Sequence, residues 1–473
     1  MPKGPTPNAH PVRAKKKGLG KEQRIRDPIH DLIVFEKDNE VDQLVWRLIN
    51  CREFQRLRRV KQLGFSEFVF PGATHTRLAH CIGVFHTARE ILKVLEKLLG
   101  ERNERRVCVS LCAALLHDLG HGPFSHVFEG VTRDLGRKKK HEKWTSEIIL
   151  GDTEINEALR SVDSKLPKEV SDIILAEDPV DIHSAIVSSQ FDADRLDYLR
   201  RDRYMCGVSV GAFDFSWILH NLVLGEVYPT VDRDKGIGGK IKWLVLDPKA
   251  REAAEGYLLA RYQLYSTIYY HKTTRSAEKI LALFLREIAE RIGSSGSFRR
   301  KLGTKSVALD FLGDSEPSLE TYLAMDDTTI WTLVSEVRQS TDRELKELGD
   351  LAGRLIERKL FKAFDLSRRA EASNSAAVDF VHELKQDAQD VGLVWGKTLI
   401  EDRPRQKGYD WYDWDTQSTL KKVLVRDKEH NGNEDIGSSQ IVKALHEKQF
   451  LRLYVPDESS VAKLEKRWKE RGQ

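Results

Sequence analysis

The stretch 116–126, Leu-His-Asp-Leu-Gly-His-Gly-Pro-Phe-Ser-His, closes the apolar, helix-like run 107–116 and constrains the chain more than any other. It sets three histidines and an aspartate within ten residues. The adjacent pair His117-Asp118 offers an imidazole nitrogen and a carboxylate oxygen to one small volume, a donor mix that suits zinc, manganese or iron. Gly120 and Gly122 let the backbone turn sharply, so His121 and His126 can swing back toward the same point.

Other parts of the chain supply this spot. Seven of the fifteen histidines (His75, His80, His86, His117, His121, His126, His141) fall between residues 75 and 141, a concentration that indicates a site. The run 191–202 carries four acids and three arginines. At helical spacing Arg195, Tyr198 and Asp202 share one face, apt for a polar ligand. In the helix expected from Pro248 to near Gly293, Arg261, Tyr265, Tyr269 and Lys272 form one stripe. Core packing or a ligand-facing role would both account for it.

The remaining elements follow from periodicity and turn residues. A strand is expected over 32–35, a helix from about Asp42 with a basic continuation over 54–64, and a helix ending near Leu99. Another helix begins at His141. A β-hairpin spans 227–246, with its turn at Asp234 to Gly239. Residues 320–395 read as helical and charged, 409–415 as an aromatic-acidic loop, and 422–426 and 450–455 as short strands. At 473 residues the chain exceeds one simple core. It divides into a disordered basic tail (1–20), a core (21–292), a linker (293–306) and a mostly helical C-terminal lobe with short strands (307–473).

Composition narrows the classes. Lys and Arg number 77 against 73 Asp and Glu, a balance too even for a general nucleic-acid or membrane surface. The Lys15–Lys17 cluster leaves weak single-stranded nucleic-acid contact to the tail, with plain solvation the simpler reading. Five scattered cysteines argue against a disulfide framework and for a reducing compartment. Cys108 and Cys112 read as small core residues. No run of about 18 apolar residues spans a membrane, and the N-terminus lacks a signal-peptide pattern. A cytoplasmic location is expected.

Collected, the metal candidates are His80, His117, Asp118 and Asp194. Two imidazoles and two carboxylates can hold one or two divalent cations and leave room for water and substrate. His121, His126 and His141 can move protons or stabilise an anion. Arg77, Arg195, Arg201, Arg261 and Lys272 add positive charge. The combination points to hydrolysis of a phosphate ester or anhydride.

At these residues the chain resembles the HD-domain metal-dependent phosphohydrolases, whose ligand pattern H…HD…D matches His80…His117-Asp118…Asp194. It is more similar still to the deoxynucleoside triphosphate triphosphohydrolases within that superfamily. The shared runs are Asp27-Pro28-Ile29-His30, Phe54 to Arg58, Lys61 to Gly64, Phe70 to Ala73, His117 to His126, His141-Glu142, Asp194-x-x-Asp197-Tyr198-x-x-Arg201-Asp202 and Tyr269-x-His271-Lys272. The resemblance covers about residues 24–290. It implies an all-α, mainly helical fold: an HD-domain core with a small β-hairpin insertion and a mixed, mostly helical C-terminal lobe.

The resemblance also implies cleavage of a dNTP at the α-phosphate, giving deoxynucleoside and inorganic triphosphate, with a divalent metal (Mn, Fe, Mg or Zn) and a homo-oligomer (dimer, tetramer or hexamer). His80, His117, Asp118 and Asp194 would then be metal ligands. His126, with His121 and His141, would line the α-phosphate, and Glu129, in place of an aspartate, would orient His126. Arg77, Arg195, Tyr198 and Arg261 would hold phosphates. Gln62, Leu63, Tyr198 and Asp202 would surround the deoxyribose 3′-OH, with Tyr269 packed on the sugar and Tyr265 near the substrate in place of a histidine. A regulatory nucleotide would meet Arg58 and Lys272. Asn50, Arg26 and Asp247 depart from the family pattern there, so nucleotide activation is less supported than the chemistry. An HD-type phosphohydrolase or nuclease acting on another nucleotide or on single-stranded DNA is the alternative enzyme. A nucleotide-sensing or nucleic-acid-binding regulator is the alternative of another class, disfavoured by the complete ligand set.

Overall fold

The computed structural model describes residues 21–229, 239–294, 298–299, 302, 306–369, 374–406, 409, 419–427 and 432–471. The basic tail, the hairpin turn at 230–238, most of the linker and the aromatic-acidic loop beyond Tyr409 lie outside these residues. The fold is mainly helical, with small sheets.

Its centre is the helix Glu104–Leu116, buried at every position from Val107 to Leu116 because it is apolar all round. The Asn103 side chain caps its start by accepting from the Arg106 N–H. Helix Arg77–Leu99 packs against it and stops at Gly100, whose φ of 72° closes the last turn. Helix Ala193–Cys206 lies against Arg77–Leu99, capped by the Asp192 carboxylate and ended by Gly207. A hairpin of Gln23–Asp27 and Asp31–Phe35 and the helix Glu40–Asn50 complete this half. The strand 32–35 is therefore found with a partner that its short, charged sequence did not announce.

Residues 54–64 correct an expectation. The helix ends at Asn50, and Cys51 is extended (φ −66°, ψ 142°). Only two short turns follow, Arg52–Gln55 and Arg56–Arg59. Val60 is extended, and the Gln62 N–H donates to the His75 carbonyl at 3.0 Å. The reason is Arg56: its guanidinium turns inward to the carbonyls of Leu119, His121 and Met325.

The expected long helix after Pro248 is two helices, Arg251–Leu264 and Lys272–Ser294, parted by a π-helical turn Tyr265–Tyr269. Strands Leu222–Val227 and Ile241–Leu246 form the hairpin. The second also pairs in parallel with Leu424–Asp427, which pairs with Gly432–Asp435, so the hairpin is half of a four-stranded sheet. Strand Arg452–Val455 lies between Lys362–Asp365 and Ile400–Asp402. Helices Asn374–Asp387 and Glu458–Glu470 cover that sheet through Phe380 and Leu464. Helices Asp327–Gln339 and Lys346–Ile356 share a core with Lys272–Ser294. Among the described residues no helix is long and apolar enough to cross a membrane.

Candidate active site

Four side chains from three helices and the turn after them meet at one point. His80 comes from Arg77–Leu99, His117 and Asp118 from the end of Glu104–Leu116, and Asp194 from the first turn of Ala193–Cys206. His80 Nε2 stands 3.0 Å from Asp194 Oδ1 and 3.9 Å from Asp118 Oδ2. His117 Nε2 stands 3.4 Å from Asp118 Oδ1 and 3.6 Å from Asp194 Oδ1. Donors about 2.0–2.2 Å from one ion stand about 3–3.5 Å apart, close to these spacings.

The hydrogen bonds prepare both imidazoles. His117 Nδ1–H donates to the Ala114 carbonyl at 2.9 Å, which leaves Nε2 with its lone pair. That Nε2 is buried and has no hydrogen-bond partner among the described residues. His80 Nδ1 bonds Asp197 Oδ2 at 2.9 Å, a carboxylate-histidine pair of the kind that orients metal-binding histidines. Burial would push His80 down, but its bonds to Asp194 and Asp197 outweigh that and raise it to about 10. Burial opposes the charge of Asp118 too, yet Arg77 and the neighbouring histidines hold it well below the usual carboxylate range. The set therefore pairs fixed negative charge with two imidazole Nε2 atoms, His117 presenting a lone pair and His80 a proton that a cation would displace. It fits a divalent metal.

Asp197 is itself surrounded. His30 Nε2 bonds its Oδ1 at 2.7 Å, and Arg201 donates to both oxygens at 2.8 and 3.0 Å while also reaching Asp27 at 2.7 Å. Gly83 makes room: a Cβ there would stand 2.1 Å from Asp197 Oδ1 and 2.2 Å from Arg201 Nη2.

A histidine group adjoins the donors. His121 is buried, lies 3.2 Å from Asp118 Oδ1 and stacks on His141 at 3.9 Å. Burial, then the charges of Arg77 and His141, hold His121 well below its ordinary value, so it is neutral. His126 is 78% exposed, its ring 5.6 Å from that of His121. Glu129 approaches His126 Nδ1 at 3.5 Å and His141 Nδ1 at 3.7 Å, and these contacts hold its carboxyl far below the usual range. Asp118, His121 and His141 form a second group of potential ligands.

Asp202 accepts from the Tyr269 hydroxyl at 2.7 Å and bonds His75 Nε2 at 2.7 Å. Tyr198 stands edge-on to Tyr269 and to His80. Gln62 and Leu63 follow the Gln62–His75 backbone bond, and Gln62 Oε1 is buried without a partner among the described residues. Tyr265 and Tyr269 lie on the π-turn with centroids 4.9 Å apart.

The cations expected at phosphates hold protein partners here. Arg77 donates to Asp118 and to Ser125 Oγ, Arg195 to Asp192 and the Ser189 carbonyl, and Arg261 to Gln190 Oε1 at 2.9 Å. Arg58 is exposed and bonded to Gln55, and Lys272 is exposed.

The C-terminal lobe grips the turn 119–125. The Tyr322 hydroxyl donates to the Gly120 carbonyl at 2.6 Å, and Asp327 accepts the N–H groups of Phe124 and Lys61 at 2.8 and 2.9 Å. Phe124 and Ser125 both have positive φ, 50° and 49°. No motif flagged these lobe residues, because their partners are backbone atoms far away in sequence.

Residues 77–200, which contain all four donors, match the model of the HD domain, and residues 239–301 match that of the HD associated region. The uncharacterized protein YwfO of Bacillus subtilis is 35% identical over 396 residues, spanning 83% of this chain and 82% of that one. The chain belongs to the HD-domain phosphohydrolase family. Deoxynucleoside triphosphate triphosphohydrolase SAMHD1 of Mus musculus is 28% identical over 374 residues, 71% of this chain but 53% of the relative. This chain thus aligns with about half of that relative's length. A phosphohydrolase of Bacteroides thetaiotaomicron shares the fold, with a TM-score of 0.70 at 24% identity over 92% of this chain and 100% of that one.

Proposed function

We propose that this HD-domain protein hydrolyses deoxynucleoside triphosphates at the α-phosphate, releasing deoxynucleoside and inorganic triphosphate. The observation that carries the reading is His117 Nε2, buried and unpartnered beside two carboxylates and a second imidazole. Mouse SAMHD1, a relative over most of this chain, is a deoxynucleoside triphosphate triphosphohydrolase by name, which supports the choice of substrate.

His80, His117, Asp118 and Asp194 would hold a manganese, iron, magnesium or zinc ion, which would supply Lewis acidity at the α-phosphate. A water oxygen joins the α-phosphorus, and the bond from phosphorus to the 5′ oxygen breaks. His126, with Nδ1 turned to Glu129, keeps Nε2 to hand a proton to the departing 5′ oxygen. His121 and His141 line the same side and stabilise the anionic centre. Arg77, Arg195 and Arg261 exchange their present partners for phosphate oxygens. Gln62 Oε1, an acceptor without a donor, suits the sugar 3′-OH, with Leu63, Tyr198 and Asp202 around it. Tyr269, tied to Asp202, packs on the sugar face, and Tyr265 stands beside it. A homo-oligomer, a cytoplasmic location and a nucleotide activator at Arg58 and Lys272 belong to the same reading.

The test is turnover of each dNTP, each rNTP and a single-stranded oligonucleotide by chelator-stripped protein with and without Mn²⁺. dNTP turnover is expected only with metal, and to fall below detection in His117→Ala and Asp194→Ala. A shortened oligonucleotide beside intact dNTPs would contradict the proposal.

A further inference from the structure

A second group of metal-type donors lies outside the HD site. The end of helix Glu40–Asn50 and the start of helix Glu154–Arg160 bring together Cys51, Glu53 and Glu154. Each offers one donor atom, and the three atoms lie within 4.8 Å of one another. Cys51 and Glu53 are buried, and Glu154 is exposed.

The hydrogen bonds use one oxygen of each carboxylate to build the corner. Glu53 Oε1 accepts from Arg52 Nε at 3.0 Å and from the Glu154 N–H at 3.3 Å. Glu154 Oε2 accepts the Arg52 N–H at 2.8 Å. Glu53 Oε2 remains over. It is buried, in a side chain only 1% exposed, and has no hydrogen-bond partner among the described residues. A carboxylate oxygen left in that state is costly unless a cation meets it.

The surroundings favour positive charge. Cys51 caps the C-terminal end of its helix, where the last carbonyls point, and its thiol donates to the Arg47 carbonyl at 3.3 Å. Burial, then the charges of Glu53 and Glu154, push its thiol up to about 12, with Glu157 adding to that field and Arg47 opposing it. Arg52, a second cation, is 71% exposed and so largely screened.

We propose that Cys51, Glu53 and Glu154 bind a divalent cation of the zinc class, distinct from the ion of the HD site. One sulfur beside two carboxylate oxygens selects zinc or cobalt over magnesium and calcium, which take oxygen ligands. Binding releases the thiol proton to solvent and leaves thiolate, carboxylates and cation joined. The ion clips the end of one helix to the start of another, beside Asn50.

The test is titration of the metal-free full-length chain with Co²⁺, read by near-ultraviolet absorption. A sulfur-to-cobalt charge-transfer band requires a thiolate ligand, and the HD donor set has none. The band is expected to appear, to be bleached by Zn²⁺ and to resist excess Mg²⁺. It should vanish in Cys51→Ser with loss of one bound metal per chain, and persist in His117→Ala. Glu53→Gln should weaken Co²⁺ binding there at least about tenfold, the loss typical of removing even an outer partner. Absence of the band from the wild-type protein at saturating Co²⁺ overturns the proposal, whatever the variants do. So does a band that survives in Cys51→Ser, which would assign it to another thiol such as Cys81, buried close to Asp118.

Discussion

At the scale of single residues, the HD site is a set of imidazoles whose outer nitrogens are already committed. His117 gives its Nδ1–H to a backbone carbonyl and His80 turns Nδ1 to Asp197, so both present Nε2 inward. Asp197 is the more informative partner, because it joins His80, His30 and Arg201 in one buried cluster. Asp197→Asn keeps the shape and removes the charge, and is expected to lower Mn²⁺ affinity about 10–100-fold. Isothermal titration checks this, and unchanged affinity would show that Asp197 serves folding alone. The donors were legible in the sequence, since His117-Asp118 is contiguous and histidines crowd residues 75–141. The role of Asp197 was not legible: its place in the motif was visible, but its partner His30, and Asp27 on the other side of Arg201, come from a hairpin distant in sequence.

At the scale of elements, the decisive piece is the turn between helices Glu104–Leu116 and His126–Asp134. Two successive non-glycine residues with positive φ cost on the order of 1–3 kcal/mol each, and such strain persists only where surroundings over-determine it. Arg56, Tyr322 and Asp327 do so by bonding the backbone of 119–125. Burial raises Asp327 from 3.8 to about 6, outweighing the N–H bonds from Lys61 and Phe124. The folded protein then keeps a proton that the unfolded chain has released. This contribution is present below about pH 3.8 and is lost as pH rises through about 6. Urea unfolding between about pH 4 and 7 should therefore show a fall in stability with pH that is smaller in Asp327→Asn. An identical slope in both proteins would exclude Asp327 as its source. Sequence periodicity located most of these elements. It failed over 54–64, where apolar spacing suggested a helix but the buried Arg56 took carbonyls from two distant segments instead. It also joined two helices across the Tyr265–Tyr269 turn, because a π-turn leaves the apolar stripe nearly continuous.

At the scale of the whole molecule, the C-terminal lobe is part of the site's support. Its helices share a core with Lys272–Ser294, and its residues 322–327 hold the turn that carries His121. A chain ending at residue 306 is expected to lose the near-ultraviolet signal of packed aromatics and to bind less than one metal at the HD site. A truncated chain with full metal content and native signal would assign the lobe another purpose. The lobe's part was hidden from sequence reasoning because it acts through backbone contacts, which leave no motif. The central claim is the reaction itself. It is tested most directly by incubating the metal-loaded protein with a dNTP in heavy-oxygen water and weighing the products. The expected result is inorganic triphosphate carrying one heavy oxygen beside unlabelled deoxynucleoside. Nucleoside monophosphate with pyrophosphate, or diphosphate with orthophosphate, would contradict it.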